Sequence, residues 1–427
     1  MLLLRIFFII TWALIVCGGF ILYEKYHTPD LIVGNISSLQ PYMEKHFSDA
    51  LREKRLGCGG FAIIANGEII TEQGYGIANP ETSAKVDTDS TLFLLSSLSK
   101  AVTTWGAMAL VESRKIALDE PILPYLSRWR FPKSEQYAAE VTLRYLLSHT
   151  AGLVDGYGYS GYSSTSEIQT IEQSLSNPTD ANSGAGHPAI VVSKPGSMVS
   201  YSSAGFVIVQ LLMEEISGQS FNQYMKEHVL VPLGMIHSSY DLNEIINQGR
   251  AQYLATQYDM EMNSYPPRYY TNMAGVSLRS SIHDLALLAA ACSGKQTILT
   301  DASIQEFARA QPGTANTWGL GHTLYTGAED GKIIFGHGGG AFPASGADMR
   351  ISEASGNAIV IVASGSQNFI SKLADDWMYW ETGIKRFDIR NLISEYLLYA
   401  IAIFIGGVVV FWVVIGKAKP KSGNANY

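Results

Sequence analysis

Apolar residues recur at helical spacing between Asp30 and Leu56 (Leu39, Met43, Phe47, Leu51), with charged residues between them, which predicts a surface helix. The period then changes: Gly60 to Ala65, an Asn66-Gly67 turn and Glu68 to Gly76 predict a β-hairpin. Gly74 and Gly76 read as strand or bulge glycines, because no Gly-x-Gly-x-x-Gly or Walker pattern follows them. From Thr103 to about Gly321 the pattern is mostly helical and broken by loops, with a helix and glycine stop over Val141 to Leu153 and an apolar helix from Ala204 to Ile216 ended by Ser217-Gly218. Asp155 to Ser166, rich in Gly, Tyr and Ser, reads as a cleft wall or a surface loop. Strands return at Ile333 to Gly336, Gly346 to Ser352 and Asn357 to Ser364, the last two flanking a Ser355-Gly356-Asn357 turn, and Ile370 to Thr382 is an amphipathic helix. Strands at both ends with helices between them predict an α/β domain whose sheet joins distant segments and closes around a helical insertion.

Two stretches depart from this alternation. Ile6 to Tyr23 and Tyr396 to Gly416 are apolar and uncharged, and each is long enough to cross a bilayer. Arg5 before the first and Lys417, Lys419 and Lys421 after the second place both termini in the cytoplasm by the positive-inside rule. With no small-x-small cleavage site after the first stretch, an uncleaved signal anchor is expected. The expected organisation is a transmembrane anchor at 5–24, one folded domain at 30–390 on the outer side of the cytoplasmic (inner) membrane, a second transmembrane helix at 396–416 and a cytoplasmic tail at 417–427. Within the domain the sheet part covers 30–96 and 325–390, and the helical part 97–324.

A net charge of -8 and a pI near 5.6 leave no basic footprint, so nucleic acid is excluded as an expected partner. The three cysteines are Cys17, Cys58 and Cys292. With Cys17 in the first span, the outer domain holds either one Cys58–Cys292 bridge or two separate buried thiols. His and Cys do not cluster at metal-ligand spacing, and no cofactor is expected.

The candidate chemistry begins in Phe93 to Thr103, which holds Ser97-x-x-Lys100 inside an apolar run that predicts the first turns of a buried helix. Residues three apart share a helix face, so the Ser97 hydroxyl and the Lys100 amine can meet. A serine attacks poorly without a base, and an amine takes its proton only when neutral, a form that apolar surroundings favour.

With three further segments this motif resembles the serine β-lactamase and penicillin-binding protein superfamily, in the branch of class C β-lactamases, D,D-peptidases, D-aminopeptidases and related esterases. Leu147-Ser-His149-Thr-Ala-Gly-Leu153 resembles its second, normally structural hallmark; Pro195-Gly followed by Tyr201 resembles its Tyr-x-Asn element; and His337-Gly338-Gly339 stands where relatives carry Lys-Thr-Gly or His-x-Gly. The resemblance covers about residues 30–385. It implies a β-lactamase/transpeptidase-like fold, an antiparallel sheet flanked by helices plus a mostly helical subdomain. It implies Ser97 as nucleophile, Lys100 as its base and Tyr201 as the second acid/base, with oxyanion donors from the backbone of Ser97 and Gly340. Ser203, His337, Gly339 and Gly340 are the expected substrate-binding positions.

Two departures bear on substrate. Ser203 replaces the usual Asn, exchanging an amide grip for a shorter hydroxyl, and His337 replaces Lys, giving a charge set by pH. The expected activity is a serine hydrolase working through an acyl-enzyme on peptides or amides such as D-amino-acid peptides of the cell wall. An esterase for small or lipid acyl esters and a penicillin-binding sensor without turnover are the alternatives. No Gly-x-Ser-x-Gly elbow occurs, which argues against an α/β-hydrolase.

Overall fold

The computed structural model describes residues 29–384, apart from 133–135, 154–159, 182–187, 260, 294–297, 327–331 and 342–344. Both apolar stretches expected to span a membrane, and the first part of the Asp155 to Ser166 loop, lie outside the described residues. The chain divides into one unit from Met1 to Gly383 and another from Ile384 to Tyr427. Among the described residues no helix is long and apolar enough to cross a membrane.

Helix α1 (Ile36–Arg52) starts at Asn35, whose side chain caps the Ser37 amide, and it buries Leu39, Tyr42, Met43, Phe47 and Ala50. The hairpin follows as β1 (Cys58–Ala65) and β2 (Glu68–Asn79). Its Asn66 and Gly67 both take positive φ (52° and 74°), the geometry that matches a two-residue turn to strand twist. After β3 (Ala84–Lys85) and β4 (Phe93–Leu94) comes a helical section with α2 (Ser99–Glu112), α3 (Leu143–Leu147), α4 (Ile171–Ser176), α5 (Ser203–Ser217), α6 (Phe221–Met225) and α7 (Leu242–Asn247). It continues with β5 (Gln257–Tyr258), β6 (Ser264–Tyr265), β7 (Arg279–Ser280), α8 (Ile282–Ala291) and α9 (Asp301–Ala308). The chain returns to the sheet with β8 (Thr323–Leu324), β9 (Ile334–Ala341), β10 (Ser345–Ser352) and β11 (Ala358–Ser364), and α10 (Gln367–Thr382) closes the unit.

The sheet has seven strands in the order β3-β2-β1-β11-β10-β9-β8, every neighbouring pair antiparallel. Its centre joins the two ends of the domain: β1 pairs with β11 in a register that sets Phe61 opposite Ile361 and Ile63 opposite Ile359. Period-two alternation then sorts side chains to two faces. Phe61, Ile63, Ile359 and Ile361 pack with Phe47 of α1 and Leu373 and Trp377 of α10, whereas Ala62, Ile64, Val360 and Val362 pack with Trp105 of α2 and Leu285 of α8.

The structure refines three expectations. Phe93 and Leu94 form a strand on Ser280 and Arg279, so the buried helix begins only at Ser99. The helix expected over Val141 to Leu153 is one turn and a half, because His149 and Gly152 take positive φ (58° and 73°) and turn the chain back. Cys58 and Cys292 are separate buried thiols, each pushed up to about 12 by burial.

Candidate active site

From Thr91 to Lys100 every residue is buried except Ser97, which is half-buried. That single opening is made by the backbone. Ser96 takes a left-handed φ of 50°, unusual for a residue with a Cβ, and starts a tight turn over Ser96–Leu98 that runs into α2. The turn lies against β9, and Gly339 permits the contact: a Cβ there would sit 2.0 Å from the Leu95 carbonyl oxygen and 3.0 Å from the Ser97 nitrogen. Any side chain at 339 would therefore push the Ser97 turn off the strand. Gly340, opposite Gly346 of β10, is exposed just beyond it.

Lys100 is fully buried, and its Nζ donates to Ser97 Oγ at 3.2 Å and to the Gly275 carbonyl at 2.9 Å. The expected pair is thus in contact, and the chain adds a backbone partner from a segment 175 residues away. That segment, a wide helical turn over Met273–Ser277, is stitched to α2 by hydroxyls. Thr103 Oγ1 donates to the Ala274 carbonyl (2.8 Å), and Ser99 Oγ accepts from the Leu278 amide (3.1 Å). Asn272 caps the turn by accepting from the Gly275 amide (2.9 Å), which orients the carbonyl that Lys100 meets.

Tyr201 also lies beside the amine. Lys100 Nζ is 5.1 Å from the centre of its ring and 5.6 Å from that of Phe206. The ring centre of Tyr201 is 4.3 Å from that of His149, 5.7 Å from Trp318 and 6.4 Å from His337, so four rings line one wall beside the amine.

His337 departs from the expected pH-set charge. It is buried, its Nδ1–H donates to the Gly338 carbonyl at 2.6 Å, and its Nε2 has no hydrogen-bond partner among the described residues. Burial above all, and then the neighbouring Lys100, push it down to about 3, so the ring is neutral over the ordinary pH range. Ser203 is also fully buried, as the first residue of α5 behind the Ser202 cap, with its carbonyl facing the Asn272 amide at 3.4 Å.

The arrangement therefore brings Ser97, Lys100, Tyr201, His337, Gly339 and Gly340 to one place and seats Ser203 in the helix start beneath it. Asn272, Gly275 and Trp318 went unnoticed in the sequence, where Ala274-Gly275-Val276-Ser277 reads as one more turn. The sequence carries only the Asn272-x-x-Gly275 spacing; the structure gives its reason, since a Cβ at 275 would lie 2.6 Å from Asn272 Oδ1. Among the described residues no group of His, Cys, Asp or Glu could hold a metal ion.

The Beta-lactamase family profile matches residues 43–379. A provisionally named penicillin-binding protein, PbpX, of Bacillus subtilis (strain 168) is 26% identical over 324 residues, which are 74% of this chain and 72% of that protein. Esterase EstB of Burkholderia gladioli is 31% identical over 206 residues, 47% of this chain and 51% of the esterase, so the match spans about half of that relative. Among solved structures, the octameric penicillin-binding protein homologue from Pyrococcus abyssi superposes with a TM-score of 0.66 at 21% identity, over 81% of this chain and 78% of that one. The chain belongs to the Beta-lactamase family and has its α/β fold, with antiparallel sheet and flanking helices. It is a β-lactamase-like serine hydrolase, with relatives among both penicillin-binding proteins and esterases.

Proposed function

We propose that this protein is a membrane-anchored serine hydrolase that works through an acyl-enzyme at Ser97 on peptide or amide substrates such as D-amino-acid peptides of the cell wall. The observation that carries the reading is the 3.2 Å contact between Ser97 Oγ and the buried Lys100 Nζ at the one open position of an otherwise buried turn.

In this mechanism Ser97 Oγ attacks the substrate carbonyl carbon while its proton passes to Lys100 Nζ. The amides of Ser97 and Gly340 hold the oxyanion, a role supported by the close approach that Gly339 allows between β9 and the Ser97 turn. Tyr201 delivers a proton to the leaving nitrogen as its bond to the carbonyl breaks and takes the proton held by Lys100 in return, so both regain their starting forms. Water then attacks the ester carbonyl, one of its protons passes to Ser97 Oγ as the acyl bond breaks, and the acid is released.

A second reading, an esterase, is favoured by the neutral His337: it offers no fixed positive charge for a substrate carboxylate, and esters need none. EstB among the relatives supports it.

The anchored, outward orientation rests on the two apolar stretches. It is supported by the chain ends of the folded unit meeting: the Gly34 amide donates to the Trp380 carbonyl (2.8 Å), and Trp380 Nε1 donates to the Asn35 carbonyl (2.9 Å). Ile32 and Val33, exposed beside them, suit a lipid headgroup boundary.

The test uses the full-length protein in detergent, with intact-mass spectrometry after incubation with a penicillin, a D-amino-acid peptide and a p-nitrophenyl ester. Turnover of the peptide with a transient adduct on Ser97, absent in Ser97→Ala, is the expected result. Ester turnover without peptide turnover would select the esterase, and a penicillin adduct that never turns over would select a sensor. Turnover that survives Ser97→Ala would overturn the acyl-enzyme itself, and release of the protein from carbonate-washed membranes would overturn the anchoring.

A further inference from the structure

His149 belongs to the segment assigned a structural part by resemblance, yet it touches the site at three points. It is buried, and its left-handed φ of 58° turns both its carbonyl and its ring toward the Ser200–Ser202 segment. The His149 carbonyl accepts from the Ser200 amide at 2.8 Å, and its Nδ1 accepts from the Ser202 amide at 3.1 Å. The residue between those two amides is Tyr201, and the His149 ring packs against the Tyr201 ring with centres 4.3 Å apart and planes 34° apart.

We infer that His149 is a positioning residue for Tyr201, holding the peptide groups on both sides of it and bracing its ring beside Lys100. The inference rests on the acid/base role proposed for Tyr201. A hydrogen bond on one side would fix the backbone but leave the phenol free to swing. Bonds to residues 200 and 202, with ring contact at 201, fix the position of the Cα and the direction of the side chain together.

The chemistry of the ring suits this task. Because Nδ1 accepts a backbone N–H, the ring proton sits on Nε2, a buried atom with no hydrogen-bond partner among the described residues. Burial, with Lys100 and His337 nearby, holds the ring well below its ordinary range, so Nδ1 stays an acceptor down into acid. The ring is further clamped edge-on by Trp318, with centres 4.7 Å apart. His149 itself is held by its loop: the Thr150 amide donates to the Tyr145 carbonyl (2.8 Å), and the Ser148 and Thr150 hydroxyls pair at 2.8 Å.

Two substitutions separate the ring from the acceptor. Phe at 149 keeps a ring and loses Nδ1. Asn at 149 places an amide oxygen near the Nδ1 position and tolerates the left-handed backbone. Full-length His149→Phe, His149→Asn, Tyr201→Phe and the double variant His149→Phe/Tyr201→Phe would be assayed with the substrate turned over by the unaltered protein. His149→Phe is expected to lower kcat about 10²-fold with KM little changed, the scale of loss when a reacting group is displaced by about an ångström. His149→Asn should restore much of that loss, and the double variant should be hardly slower than Tyr201→Phe alone, because His149 acts through Tyr201.

Losses that multiply in the double variant would overturn the inference. So would His149→Asn being as slow as His149→Phe, or a change in KM alone. If Tyr201→Phe turns over at the full rate while Ser97→Ala is dead, the Tyr201 role and this inference fall together while the acyl-enzyme stands. If His149→Phe does not fold, the unaltered protein decides. Histidine-selective 15N spectra, assigned by difference from His149→Asn, should show a neutral ring protonated on Nε2 at pH 6, and a ring protonated on Nδ1 overturns the inference.

Discussion

The two faces of the central sheet solve different problems with strands that are shared residue by residue. On the face covered by α1 and α10, Phe47, Phe61, Leu373 and Trp377 form an apolar layer whose charged groups are paired: buried Arg350 donates to Asp348 at 3.2 Å and to Asp375 at 2.6 Å, and the Tyr42 hydroxyl donates to Asp376 at 2.7 Å. On the face covered by α2, the apolar layer of Ala62, Val360 and Trp105 continues into buried Lys100, Thr103, Thr104, His149 and His337. There, Ser96 Oγ, His149 Nε2 and His337 Nε2 are buried without hydrogen-bond partners among the described residues, a condition that costs stability at each atom. The first face pairs its buried charges within the layer, and the second keeps polar groups around the site that packing alone would not select.

That contrast can be broken most sharply at Lys100. Lys100→Met should cut turnover by about 10²- to 10⁴-fold, the range for a lost acid/base. Its urea midpoint should hardly move, since removing a buried polar head group offsets the lost bond to Gly275. A large drop in stability with turnover retained would make Lys100 a structural residue.

Trp377→Ala on the opposite face should do the reverse. Emptying a fully buried indole site costs about 3–5 kcal/mol of stability, with kcat of the folded protein nearly unchanged. Denaturant melts and active-site titration read the two effects separately.

Acid sharpens the comparison, because buried histidines concentrate on the site face. His337 is pushed down to about 3 and His322 to about 4, chiefly by burial, from an ordinary value of 6.5. Below pH 6.5 the unfolded chain binds protons that these rings refuse in the folded state, so their neutral burial destabilises the fold progressively as pH falls toward 4. Each ring contributes about 2–3 kcal/mol of loss by pH 4.5, so urea melts between pH 7 and 4.5 should move steadily to lower midpoints. Midpoints that stay level would mean that the rings are protonated in the folded protein.

The smallest effect is expected at the seam between strand and turn. Gly339→Ala forces a Cβ to within 2.0 Å of the Leu95 carbonyl, and the adjustment costs about 1–3 kcal/mol. Because the same Cβ reaches the Ser97 nitrogen, the rate of adduct formation on Ser97 should fall by more than the stability loss explains. Equal kinetics with lower stability would remove Gly339 from the site.

Much of this molecule was legible before any coordinates. Alternating and helical periods marked β10 and β11 nearly to their ends, and α1, the β1–β2 hairpin, the start of β9 and α10 by position, because burial on one side of an element writes its period into the chain. Ser97, Lys100, Tyr201 and His337 were recognisable by motif and order. The short helix at Leu143–Leu147 was overread, because an apolar run does not reveal that His149 turns back with positive φ. His337 was expected to titrate, since a residue type carries its ordinary value and only burial beside Lys100 removes the charge.

Residue type and local spacing were enough to mark candidate residues for the chemistry and the main strands of the sheet. Tertiary structure alone decided that β1 lies on β11, that the Gly275 carbonyl meets Lys100, and that His149 grips the two amides flanking Tyr201. These contacts join residues 53 to about 300 positions apart, and no local period records a hydrogen bond whose two ends meet only when the sheet closes.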